Sequence, residues 1–153
     1  MQPNFFVMKI FKFGGASIKD AESVRNVANV LNHFPGEEIL IVVSAMGKTT
    51  NALEQLVECY INKGTDCKQR IDEIKETHIK IINELFPADE HRVHNDVEIL
   101  FMQLQLICDM PPSHGFNRVY DQIVSFGELI STKIISIFST RCAVHSCDYH
   151  KNR

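Results

Sequence analysis

Lys12-Phe13-Gly14-Gly15 stands where an alternating apolar stretch gives way to an amphipathic one. Glycines let backbone amides approach an anion closely, and a lysine at the carboxyl end of a strand adds positive charge. A helix starting just afterwards adds the positive end of its dipole. The chemistry this arrangement suits is phosphate binding. It is neither the G-x-x-x-x-G-K-[ST] loop nor the dinucleotide G-x-G-x-x-G fingerprint. The plain alternative is a tight turn beside an ordinary surface lysine.

A second stretch, "SAMGKTTNALEQL" at 44–56, places Ser44, Gly47, Lys48, Thr49, Thr50 and Asn51 just before another helical pattern. Small, hydroxylic and cationic groups there again suit a phosphorylated or polar ligand, although Thr49 or Thr50 would also serve as a helix N-cap. A third, "SFGELIST" at 125–132, lies inside a helical pattern. A glycine within a helix costs about 1 kcal/mol relative to alanine, so Gly127 implies close packing or close ligand approach, with Glu128 beside it.

The elements that must position these residues follow from periodicity. Phe5–Phe13 is rich in strand formers, with Val7, Lys9, Phe11 and Phe13 alternating against Met8, Ile10 and Lys12. Asp20–Phe34 sets Val24, Val27, Ala28 and Leu31 on one helical face, with Ser17 or Asp20 as N-cap. "EILIVVSA" at 38–45 is a continuous apolar run of the kind found in strands covered on both faces. Strand, helix, strand in this order implies a parallel βαβ unit, and ligands bind outside the carboxyl ends of such strands. Both glycine-bearing turns should therefore open on one edge.

Everything afterwards reads as helix. One stripe spans Leu53 to Ile61 and is closed by Gly64. Others span Ile71 to Leu85, Val97 to Cys108, and Val119 through Phe126 to Ile137. Two parallel strands cannot cover two helical layers, so further strands are expected. The last fifteen residues, "STRCAVHSCDYHKNR", offer none. The expected organisation is thus a tail over 1–7, the N-terminal portion of a larger domain over 8–138, and a divergent tail over 139–153 arising from truncation or an altered reading frame.

The composition is that of a globular chain, with 44% hydrophobic and 23% charged residues. A net charge of −3 argues against general nucleic-acid binding and favours a small-molecule partner. No continuous run approaches the ~18 to 20 apolar residues of a membrane span, and the N-terminus lacks the features of a secretory signal, so a soluble cytoplasmic protein is expected. Five cysteines, at 59, 67, 108, 142 and 147, read as reduced thiols. Cys142, His145, Cys147 and His150 are too closely spaced for a good tetrahedral site, so no metal site is expected. His33, His78, His91, His94 and His114 show no nucleophile or acid partner at readable spacing.

In order, Lys12-Phe13-Gly14-Gly15, "VVSAMGKTTNAL" and "SFGELIST" resemble the aspartate kinases of the amino acid kinase family, from about Met8 to about Phe138. The resemblance implies a three-layer α/β/α sandwich, of which this chain would hold an incomplete, N-terminal part. It further implies ATP-dependent phosphorylation of the L-aspartate side-chain carboxylate, with Mg2+ travelling with ATP. Lys12 would contact the phosphates and stabilise charge on the transferring group. Gly14, Gly15, Ser44 and Gly47 would line the phosphates, while Thr50 and Glu128 would bind aspartate, Glu128 holding its ammonium group. Two departures stand out: Ala16 replaces the family's usual threonine, and the half of the domain carrying the nucleotide-base pocket is missing. Two other readings compete. One is a catalytically inactive binding or assembly module whose open edge pairs with another chain, with homo-oligomers as one form. The other is a different amino acid kinase, such as a carbamate or glutamate kinase relative.

Overall fold

The computed structural model describes residues 8–87, 91–112 and 115–150. Two parallel strands, β1 (Lys9–Phe13) and β2 (Ile39–Val43), pair in the register Lys9 with Ile39 through Phe13 with Val43. Between them lie a short 3-10 helix (Gly15–Ile18) and helix α1 (Ala21–Leu31). Then follow α2 (Thr49–Ile61), α3 (Cys67–Leu85), α4 (His91–Asp109), α5 (Phe116–Val124) and α6 (Phe126–His150).

Alternation fixes the two faces of the sheet. Phe11, Phe13, Ile41 and Val43 turn to the inner, half-buried face, where Phe13 and Val43 pack against the helical core. Lys9 tolerates that face because Glu37 pairs with it and the Phe34 ring lies 4.4 Å beneath its ammonium group. The opposite face, with Ile10, Lys12, Leu40 and Val42, is exposed. The expectation that β2 is covered on both faces therefore fails among the described residues, where Val42 is 41% exposed and Ile10 67%. The described chain supplies the sheet and the helical packing on one side of it.

The core is a helical cluster in which Val24, Leu53, Leu56, Ile82, Leu104, Ile123, Ile130 and Ile134 are almost wholly buried. Burying a side chain of this size stabilises the fold by about 1.5 to 3 kcal/mol, so the helical stripes, more than the small sheet, hold the molecule together. The single fourth helix expected from Val119 to Ile137 is two, α5 and α6, interrupted at Ser125, whose hydroxyl donates to the Gln122 carbonyl (3.1 Å). The interruption starts α6 with Gly127 inward and Glu128 outward. Helix α6 crosses position 139 without a break, whereas the side chains of the cysteine- and histidine-rich segment 142–150 and the expected tail over 1–7 lie outside the described residues.

By length and composition Phe116–Arg141 is apolar enough to cross a membrane. Val119, Ile123, Phe126, Ile130 and Ile134 within it are nevertheless buried against the rest of the chain, as core helices are. One cysteine expectation is also overturned. The turn between α2 and α3 brings Cys59 and Cys67 together as a disulfide with Cα atoms 5.8 Å apart, because the helical hairpin folds one end of each helix onto the other. Cys108 is free, and burial first, then the Asp109 charge, push its thiol up to about 11.

Candidate active site

The two strand ends are joined directly. Ser44 donates its N–H to the Phe13 carbonyl (3.1 Å), and Gly47 donates to the Gly15 carbonyl (3.0 Å). A Cβ on Gly15 would lie 2.6 Å from the Ala45 carbonyl oxygen, so only glycine lets the turns approach this closely. Gly47 itself sits at φ +53°, in the left-handed region that side chains resist. Gly14 is different: a Cβ there would meet nothing within 4 Å, so the packing of the chain leaves open space beside it.

The third motif reaches the same place from α6. A Cβ on Gly127 would stand 2.7 Å from the Ala45 Cβ and 3.3 Å from Leu53 Cδ1. The Gly127 carbonyl is satisfied by the buried Ser131 hydroxyl at 2.7 Å. Glycines 15 and 127, 112 positions apart in sequence, thus both pack on Ala45, and the three stretches singled out in the sequence converge on one turn. Lys12 is exposed and enters no ion pair with the described residues. Glu128 is exposed in the first turn of α6, and Thr50 is half-buried in the first turn of α2.

Of the two helix N-termini, α1 starts as expected under the Asp20 cap, and α2 lacks the threonine cap that was the alternative for its first turn. Helix α1 does not open at the glycines, because the 3-10 helix intervenes and Asp20 caps α1 by accepting from the Ser23 N–H (2.8 Å). Hydrogen bonds from Ser23 hold the Asp20 carboxyl below its ordinary range. Helix α2, by contrast, begins with no side-chain cap, so neither Thr49 nor Thr50 plays the N-cap role. Uncapped amides and the positive end of a helix dipole therefore sit at the β2–α2 turn, where an anion would be favoured.

Sequence reasoning missed Glu54 and Tyr120 here, and it missed the pairing of Thr49 with His78. Glu54 lies one helical turn beyond Thr50 and accepts from the Tyr120 hydroxyl (2.7 Å) across 66 positions. That hydrogen bond, then burial and the charges of Glu54, Asp121 and Glu128, raise the Tyr120 hydroxyl above its ordinary range. Glu54 and Glu128 thus both put negative charge near the Tyr120 hydroxyl. Thr49 and His78, both buried, form the other pair, with the hydroxyl 3.4 Å from Nε2. No local spacing signals either pairing, because each joins separate helices.

Comparison with known proteins places the chain in a family. The chain is 35% identical over 144 residues to aspartokinase 1, chloroplastic, of Arabidopsis thaliana, covering 92% of this chain and 25% of that protein. To aspartokinase 2, chloroplastic, of the same plant it is 37% identical over 132 residues, covering 84% and 24%. It spans about a quarter of the length of these curated relatives. The fold superposes on Escherichia coli aspartokinase III in complex with aspartate and ADP with a TM-score of 0.72, at 24% identity and covering 89% of this chain and 29% of that one. The sequence model of the amino acid kinase family matches residues 8–153, and the chain belongs to that family.

Proposed function

We propose that this chain carries the phosphate-side and substrate-side residues of an aspartate kinase, which phosphorylates the L-aspartate side-chain carboxylate with ATP. A side-chain carboxylate oxygen forms a bond to the γ-phosphorus, the bond from that phosphorus to the ADP oxygen breaks, and the products are 4-phospho-L-aspartate and ADP. Such transfer needs positioning and charge stabilisation more than covalent chemistry. Lys12 supplies positive charge to the transferring group. Gly14, Gly15, Ser44 and Gly47 offer backbone approach to the phosphates at the uncapped start of α2, and Mg2+ enters as the counter-ion of the nucleotide. Thr50 and Glu128 hold aspartate, Glu128 at the ammonium group with Glu54 adding negative charge nearby. The observation that carries the reading is the convergence of Gly15 and Gly127 on Ala45, which gathers three ordered motifs at one turn.

Isothermal titration of the purified chain with L-aspartate and with MgATP tests it. Aspartate should bind, with Glu128→Gln and Thr50→Val each weakening it about tenfold or more. Lys12→Met should weaken MgATP and leave aspartate unaffected. Absence of heat with both ligands would remove the proposal, and glutamate or carbamate binding in preference to aspartate would move it to another amino acid kinase. Robust phosphorylation by the chain alone would show that its site is complete. The open face of Ile10, Leu40 and Val42 favours a second reading, an assembly module that pairs with another chain as a homo-oligomer or otherwise. A monodisperse monomer in sedimentation velocity would count against that reading.

A further inference from the structure

His78 has no place in the reading above, yet it is wholly buried in the middle of α3. Its Nδ1 lies 2.7 Å from the Ile74 carbonyl oxygen. A carbonyl can only accept, so Nδ1 carries the proton and the neutral ring presents a lone pair at Nε2. That lone pair faces the Thr49 hydroxyl at 3.4 Å, and the hydroxyl donates to it. The Phe101 ring of α4, its centroid 5.9 Å away, flanks the imidazole on another side.

Thr49 is where this bond matters. It is the first residue of α2, only 7% exposed, and its Cγ2 would lie 3.6 Å from a Cβ on Gly127. The residue after Thr49 is Thr50, and the residue after Gly127 is Glu128. Thr49 therefore belongs to one of the two backbone segments that carry the proposed aspartate contacts and lies beside the other. Successive helical residues are rotated by about 100°, so holding Thr49 inward fixes the direction in which Thr50 leaves the helix. With no N-cap on α2, no side-chain bond at the helix start does that work instead.

We propose that His78 is a positioning residue: by accepting the Thr49 hydroxyl it fixes the first turn of α2 against α6 and so sets the spacing of Thr50 and Glu128 around an α-amino acid substrate. This rests on the aspartate reading of the site, and the test separates the two. Amide hydrogen exchange across 46–51 and L-aspartate affinity by titration are measured for the full chain and for Thr49→Val, Thr49→Ser and His78→Gln.

Thr49→Val keeps shape and removes only the donor. It should speed exchange across 46–51 and weaken aspartate, each by about five- to tenfold, the effect of losing one ordinary hydrogen bond. Thr49→Ser, which keeps the hydroxyl, should restore both. Unchanged exchange in Thr49→Val would overturn the proposal, as would faster exchange with unchanged aspartate affinity. If the unaltered chain binds no aspartate, the functional reading falls, and the role of His78 in substrate placement falls with it. Exchange alone then shows whether the clamp on the turn exists. If His78→Gln does not fold, the two threonine variants decide the matter.

Discussion

Each strand-to-helix connection has a lysine and at least one glycine close to the end of an apolar strand, and the two finish in different ways. After β1 the chain makes a 3-10 helix, and α1 starts later under the Asp20 cap. After β2 it turns through Gly47 and enters α2 with no side-chain cap. The first connection satisfies its own helix, and the second leaves amides and dipole available. Two stretches of like composition can therefore divide the work, one contributing Lys12 and open space beside Gly14, the other a helix start where phosphate is favoured.

The two joined turns are most vulnerable at Gly15. Gly15→Ala would drive a Cβ to 2.6 Å from the Ala45 backbone oxygen, and neither turn can move away without breaking the Gly47 to Gly15 hydrogen bond. A loss of about 2 to 4 kcal/mol is expected in chemical denaturation, with the joined turns separating. Gly47→Ala attacks the second connection alone, by placing a side chain at φ +53°. About 1 to 2 kcal/mol should be lost there, read in the same denaturation series.

Acid titration is a milder probe of the second connection. Burial holds the His78 ring below its ordinary pKa, against the Ile74 hydrogen bond that favours the charged form. Protonation is then easier in the unfolded chain. The resulting stability is complete above about pH 6.5 and is lost as pH falls through the lower folded value. Melting temperature should fall more steeply between about pH 7 and 5 in the unaltered chain than in His78→Gln, and equal slopes would count against a buried neutral ring. The smallest effect belongs to Gly14→Ala, because nothing lies within 4 Å of the added carbon. Stability should change by no more than about 0.5 kcal/mol, while MgATP affinity falls if phosphate occupies that space.

The helical stripes were legible because each is a repeat of local spacing. Val24, Val27 and Ala28, or Ile71, Ile74, Ile81 and Ile82, declare a face whatever they pack on, and all are buried. The break at Ser125 was not legible, since the apolar period runs on through it. Nor was the exposed side of β2. The run Ile39–Val43 is apolar on both faces, and a pattern of side chains states what would be buried without supplying the cover.

By itself, then, the sequence determined the βαβ start, the helices that follow, and the order of three motifs bearing Lys12, Thr50 and Glu128. These depend on residue type and near-neighbour spacing, which are written along the chain. Tertiary structure alone decided that Gly15 and Gly127 meet at Ala45, that α2 and not α1 opens uncapped, and that Thr49 bonds His78 while Tyr120 bonds Glu54. Those are contacts between elements far apart in sequence, set by how whole helices pack, and no local period records which buried faces will touch.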